Sequence, residues 1–118
     1  MASPEWTSVY PKFGVIVCTA ILNHGDTSKD LKIPGYSDKS IHLFGGTFGD
    51  STVSLTGLND ESGTGQALHR VHDPTLTFSS LATETLALLL ENPLILRASA
   101  GGTTGTGLTI VIVGKRNI

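Results

Sequence analysis

The sequence has few of the residues that a secreted scaffold or a nucleic-acid-binding protein needs. Cys18 is the only cysteine among 118 residues, so no disulfide can form within the chain, and a disulfide-stabilised scaffold is excluded. Charged residues make up 15% of the chain, below the roughly 25% of an average globular protein, and the net charge is −2. Because no basic surface is expected, we predict no direct nucleic-acid or membrane partner.

Long apolar runs are also lacking. The only candidate, from Phe13 to Leu22, spans about ten residues, whereas a membrane helix needs about 20. We therefore interpret this run as a buried strand of a soluble protein made inside the cell. Within it, Cys18 is predicted to be a small buried apolar side chain and not a reactive thiol.

Residues that could carry chemistry lack their usual partners. His69 and His72 are three positions apart, so on a strand they would point to opposite faces, and no third ligand stands at zinc-site spacing. The glycine-rich loop at 101–107 lacks the Gly-Lys-Ser/Thr of a phosphate-binding loop and is predicted to be a flexible hairpin connection. The carboxylates Asp60 and Glu61 share one acidic loop, and the sequence shows no second carboxylate facing them, as glycosidase chemistry would require. We predict a non-enzymatic protein with no catalytic residues, metal or cofactor.

Alternating β-prone residues are what the sequence does contain. In the stretch from Ser40 to Asp60, two such runs flank a Gly/Asp/Ser turn, which is typical of an antiparallel hairpin with one buried face. Short runs of this type recur to the C-terminus, separated by turn residues. The predicted strands are Phe13–Leu22, Leu31–Ile33, Ile41–Phe44, Thr52–Leu58, Ala67–Val71, Thr75–Phe78, Leu94–Ala100 and Leu108–Val113.

About eight short strands at regular spacing predict an all-β fold. The expected architecture is a two-layer antiparallel β-sandwich of jelly-roll type, forming a single domain over residues 13–118. The segment 81–91 contains helix formers between strands, so we predict one helical turn that leads into a strand. The last strand is nearly all apolar and is predicted to be central and covered on both faces.

Residues 1–12 are predicted to form an extended N-terminal arm, because Pro4 and Pro11 disfavour a helix or an interior strand. Its aromatic residues, Trp6 and Tyr10, either pack back on their own domain or anchor on a partner. Arg97 lies in an otherwise apolar strand, where it is either a rim residue with an exposed head group or the partner of an acidic group on another chain. We predict that Trp6, Tyr10, Tyr36 and Arg97 contact a partner.

Three segments carry a family resemblance. They read Pro34-Gly-Tyr-Ser-Asp-Lys-Ser-Ile-His-Leu-Phe-Gly-Gly-Thr-Phe-Gly, then Val53-Ser-Leu-Thr-Gly-Leu-Asn-Asp, then Leu90-Glu-Asn-Pro-Leu-Ile-Leu-Arg with the Gly/Thr loop and the final strand. Together they resemble the small capsid decoration (cement) proteins of tailed bacteriophages, particularly short-tailed ones. The resemblance covers roughly Ser28 to Arg116 and does not include the N-terminal arm.

The resemblance implies a jelly-roll-like virion protein on the outer capsid surface, made in the host cytoplasm. Its partners would be the major capsid protein and a second copy of itself, as a dimer or a trimer. Such proteins clamp neighbouring capsid subunits and carry no catalytic residues. Other hypotheses are a carbohydrate- or receptor-binding module on the same sandwich, a tail or head-completion component and, most remotely, a small hydrolase that uses His69 and His72.

Overall fold

The computed structural model describes residues 2–116, which form eight β-strands and no helix. This part of the chain accordingly contains no helix with the length and hydropathy of a membrane span. The strands are β1 (Thr7–Lys12), β2 (Val15–Leu22), β3 (Asp38–Phe44), β4 (Val53–Leu58), β5 (Gln66–Ala67), β6 (Thr85–Leu88), β7 (Ile95–Ala100) and β8 (Leu108–Lys115).

The strands form two antiparallel sheets, as the all-β prediction required. The large sheet has the order β1-β2-β8-β3-β6, and the small sheet has the order β5-β4-β7. Residues 27–31 add a further, irregular strand to the small sheet, because Thr27 bridges Ser99 and Leu31 bridges Leu96 of β7. With that segment counted after β2, the sheets have the strand orders β2-β8-β3-β6 and 27–31-β7-β4-β5, which is the arrangement of a jelly roll with β1 added at one edge.

The core lies between the two sheets. Inward-facing residues of the large sheet include Cys18, Ile41 and Ile112, and those of the small sheet include Leu55 and Ala98. Each of these side chains is at most 1% exposed. The strict alternation of buried and half-buried residues along β2 and β8 gives each strand one core face and one outer face.

The prediction of a hairpin over Ser40–Asp60 is wrong. Both of its strands exist, but β3 belongs to the large sheet and β4 to the small sheet, so they do not pair. The link between them contains Gly45 and Gly46 with φ of +79° and +61°, and Thr47 bridges Thr106 in the loop before β8. These contacts carry the chain from one sheet to the other instead of folding it back on itself.

Three further local predictions need correction. The loop at 101–107 also crosses between sheets, so it is not a hairpin connection. The segment 81–91 contains β6 and no helical turn. The last strand is central, between β2 and β3, but only alternate residues such as Ile110 and Ile112 are buried, whereas Val111 and Val113 are half-exposed. The prediction that both of its faces are covered is therefore wrong for this chain alone.

The residues before β2 lie against both sheets. Backbone carbonyls of Ala2 and Pro4 accept hydrogen bonds from Thr27 and Lys29 beside the small sheet. Thr7–Lys12 then pairs with β2 as an edge strand of the large sheet. Pro11 falls where the register of that pairing shifts, which is a position where a strand tolerates proline.

Candidate protein-binding surface

The outer face of the large sheet carries hydrophobic residues on all five strands, with threonine, serine and histidine between them. One row of outward-facing residues runs Val9, Val17, Val113, Ser40 and Leu88, from β1 to β6. The next row along the strands runs Thr7, Thr19, Val111, His42 and Leu86. We call this surface the apolar face and define it by its large hydrophobic residues, which are Val9, Val17, Ile21, Phe44, Leu86, Leu88, Val111 and Val113.

The side chains of the apolar face are substantially open to solvent. Leu86 is 69% exposed, Ile21 56%, Val9 54% and Leu88 41%. Single exposed hydrophobic residues are ordinary on protein surfaces, but here they lie on the same face of one sheet, and partly exposed Val17, Val111 and Val113 lie between the two edges. A contiguous apolar patch of this kind is typical of a surface that binds another macromolecule.

Charged residues border the apolar face at both ends. At one end Lys12, Lys115 and Asp38 stand in one row, separated only by Val15 between Lys12 and Lys115. At the other end lies Glu84, which precedes β6, and one of its carboxylate oxygens is 2.8 Å from Nε2 of His42 in the second row. An apolar centre with a polar rim is the usual composition of a protein interface.

A groove deepens the apolar face near its β6 edge. It has a volume of about 430 Å³ and is lined by Ser40, Leu88, Val113, Lys115 and Val71, among others. Val71 closes its side, since the backbone N–H of Val71 donates to the carbonyl of Leu88. The groove thus lies on the β6 side of the face, while the β1 edge carries Val9, which is 54% exposed.

Trp6 and Tyr10, the two aromatic residues of the predicted arm, are in different environments. Trp6 is half-buried against the core, and its indole N–H donates a 2.8 Å hydrogen bond to the carbonyl of Lys29. Tyr10, in β1, is 67% exposed. Trp6 thus packs on its own domain, whereas Tyr10 remains available to a partner.

The other two predicted contact residues have partners within the chain. The side chain of Tyr36 packs against the core and lies 5.3 Å from the guanidinium of Arg116, which also stacks on Phe13. Nε of Arg97 donates a 2.8 Å hydrogen bond to Asp30, and this bond lowers the pKa of the Asp30 carboxyl. Neither alternative for Arg97 anticipated an acidic partner in the same chain.

The histidine and cysteine candidates are engaged in structural contacts. Nδ1 of His69 lies against Glu91, whose other carboxylate oxygen accepts a hydrogen bond from the backbone N–H of His69. Burial acts to raise the pKa of Glu91, but these hydrogen bonds outweigh it and lower that pKa. Cys18 is fully buried, and burial raises the pKa of its thiol. Within residues 2–116 no three His, Cys, Asp or Glu side chains are grouped to hold a metal ion.

Two polar features of the sandwich were not revealed by the sequence. Lys39 is 2% exposed on the core side of β3, its ammonium donates to the side-chain oxygen of Asn92, and burial lowers its pKa. The carboxylate of Asp50 accepts four hydrogen bonds from the backbones and hydroxyls of Thr103 and Thr104. These bonds hold the pKa of Asp50 well below its usual range and fix the 101–107 loop, which was predicted to be flexible.

A second depression, of about 560 Å³, lies beside β4 and β5. Three of its polar lining side chains already have partners, because Asp60 accepts from Ser62, Glu91 accepts from His69 and Asn59 accepts from the backbone of Leu94. It offers a ligand fewer free polar groups than its composition suggests. The apolar face is therefore the stronger candidate for a functional surface.

Comparisons of this chain with models of protein families, with curated proteins and with solved structures found no match.

Proposed function

We propose that this chain is a non-enzymatic virion structural protein that decorates and stabilises an icosahedral phage capsid by bridging major capsid protein subunits. The observation that carries the proposal is the apolar face, a large hydrophobic surface that no part of residues 2–116 covers. Such a surface is expected of a protein that works inside an assembly. We take this assembly to be a phage capsid because three segments of the chain resemble capsid decoration proteins. These segments lie around Pro34–Gly49, Val53–Asp60 and Leu90–Arg97.

The architecture suits a mechanical role. A capsid protein must resist the internal pressure of packaged DNA without deforming. Here the two sheets share one close-packed core, and the loops that cross between them are tied together by Asp50 and by the bridge between Thr47 and Thr106. Close-packed interiors have low compressibility and transmit strain, so this sandwich can carry load between the subunits that it contacts. Many modest contacts repeated over a symmetric shell would then add through avidity.

The experiment compares purified capsids with and without this protein. We expect the intact particles to contain on the order of hundreds of copies, as repeated symmetric binding sites require. Particles that lack the protein should release their DNA at a lower temperature and at low ionic strengths that the intact particles withstand, and adding back the purified chain should restore the intact behaviour. Equal resistance of both particles would contradict the cementing role, and only tens of copies would instead indicate a tail or head-completion component.

A carbohydrate- or receptor-binding module is the second candidate, because two aromatic rings are unusually open. Tyr10 is 67% and Phe13 71% exposed, and exposed aromatic rings are the usual platforms for sugars. A glycan array distinguishes the two functions: selective binding that Tyr10→Ala and Phe13→Ala abolish would favour this candidate over the capsid role.

A further inference from the structure

We propose that the side chains of Lys39 and Asn92 join in an isopeptide bond, a covalent amide link between strand β3 and the segment that leads into β7. The ammonium of Lys39 donates a hydrogen bond to Oδ1 of Asn92. The two residues are 53 positions apart in the chain, so only the fold brings them together. The bond is a property of the folded chain by itself and does not rest on the proposed function.

Lys39 is a buried amine whose charge is not balanced. It alternates with the buried residues Ile41 and Leu43 along the core side of β3 and is 2% exposed. Lysine is almost never buried to this extent without an acidic partner. Among residues 2–116 no carboxylate forms an ion pair with its ammonium, which bonds to the neutral amide of Asn92. A hydrogen bond alone leaves the buried charge costly, whereas an amide bond would remove that charge.

The buried position also makes Lys39 a better nucleophile. Only a neutral amine can attack a carbonyl carbon, and an exposed lysine is almost entirely protonated at neutral pH. Burial lowers the pKa of Lys39, and the negative charge of Asp38 opposes this effect only in part. Lys39 is therefore neutral in a larger fraction of molecules than an exposed lysine would be.

The amide of Asn92 is held in position from two sides. Its Oδ1 accepts from Lys39, and its Nδ2 donates a 2.9 Å hydrogen bond to the carbonyl of Pro34. A nitrogen that bonds to an amide oxygen lies within about 4 Å of the amide carbon, close to the 3–3.5 Å or so from which bonds form. The fold thus supplies the encounter that would otherwise limit a reaction between an amine and an amide.

The reaction consumes no other reagent. Nζ of Lys39 forms a bond to Cγ of Asn92, the bond from Cγ to Nδ2 breaks, and Nδ2 leaves as ammonia with a proton that Nζ gives up. Because Asn92 is exposed, ammonia can leave to solvent and water can carry the proton between the two nitrogens. Asn92 cannot instead form a succinimide, because the next residue, Pro93, has no backbone N–H to attack its side chain.

The bond would close a covalent ring that contains β4, β5 and β6. A cross-link over so long a loop restricts the unfolded chain and so favours the folded state. It would also prevent the segment between residues 39 and 92 from extending when the two sheets are pulled apart. The sandwich could then carry load even if its hydrogen bonds opened for a moment.

The test is the intact mass of the purified full chain after prolonged incubation at neutral pH. The wild-type chain should be about 17 Da lighter than its sequence requires, because ammonia is lost, and Lys39→Met should have its full sequence mass. The matched control is Lys32→Met, which removes an exposed lysine paired with Glu61 and should keep the loss of mass. A protease digest of the wild-type chain should yield a branched peptide that joins the segments around Lys39 and Asn92.

A wild-type chain of full mass would overturn the proposal and leave the Lys39–Asn92 contact as a hydrogen bond. A loss of mass that persists in Lys39→Met would also overturn it, because the ammonia would then come from a succinimide at another asparagine. The wild-type mass and the branched peptide do not depend on whether a variant folds. Neither result bears on the cementing role, which is measured on capsids.

Discussion

The two sheets have similar inner faces and very different outer faces. The outer face of the large sheet exposes valines and leucines on strands from β1 to β6, with Thr7, Thr19, Ser40 and His42 between them. That of the small sheet is built from Ser54, Thr56, Arg97 and Ser99, which are half-buried and polar. The polar groups of the small sheet bond within the chain, since Ser54 accepts from the backbone of Ser80, Thr56 donates to the carbonyl of Arg97, and Arg97 donates to Asp30.

This difference indicates which side of the molecule would gain more free energy from being covered. A polar face whose hydrogen bonds are made internally gains little from being covered, because covering it only replaces contacts with water. An apolar face gains about 25 cal/mol for each Å² removed from water. The large sheet is therefore the side on which association is favourable, and the small sheet is suited to remain in solvent or to make weaker, reversible contacts.

The largest expected effect concerns what the two sheets share. Leu55 of the small sheet and Ile112 of the large sheet are both fully buried in one core, so Leu55→Ala and Ile112→Ala should each lower the free energy of unfolding by about 3 kcal/mol. Urea denaturation measures the loss of unfolding free energy in both variants. The control is Leu94→Ala, at 44% exposed, which should lower the free energy of unfolding by less than about 1 kcal/mol. A loss below about 1 kcal/mol for only one core variant would mean that the sheets do not form one cooperative core.

The next effect concerns the loops that tie the sheets together. Because hydrogen bonds from Thr103 and Thr104 lower the pKa of Asp50 in the folded state, its stabilising contribution is present above the unfolded pKa of about 4 and is lost as the pH falls below it. Asp50→Asn should therefore lower the urea midpoint at neutral pH and leave it nearly unchanged at the acid end, where wild-type Asp50 becomes protonated. An equal loss at both ends would show that the carboxylate charge plays no part.

Sequence patterns predicted the strands better than their partners. The period of two in β2, β4 and β8 is a local property, so these strands could be located from the sequence. The sheet that each strand joins depends on contacts far apart in the chain. The glycines at 45, 46 and 49 looked like a hairpin turn, yet their positive φ values serve a link packed against the 101–107 loop. Contacts with that distant loop decide whether these glycines form a hairpin turn or a link between the two sheets.

The apolar face could not be predicted from the sequence for a similar reason. A run such as Leu108–Val113 has the same composition whether its outer side faces solvent, a helix or another chain, and it was interpreted as covered on both faces. The contribution of β1 to the apolar face could not be predicted either, because Pro11 argues against a strand unless the strand lies at a sheet edge. The burial of Lys39 could not be predicted from the sequence either, because it depends on a partner, Asn92, that lies 53 positions away.

The smallest expected effect tests whether the polar face of the small sheet is satisfied within the chain. A double-mutant cycle with Arg97→Gln and Asp30→Asn should give a coupling energy of about 0.5 kcal/mol, because the side chains are only 29% and 26% exposed but still reach solvent. The same cycle on Lys32 and Glu61, which are 50% and 66% exposed, should give a smaller value that vanishes with added salt. If the coupling between Arg97 and Asp30 were absent in the isolated chain, Asp30 would not satisfy Arg97, and the small sheet would then be a second binding face whose polar groups await a partner.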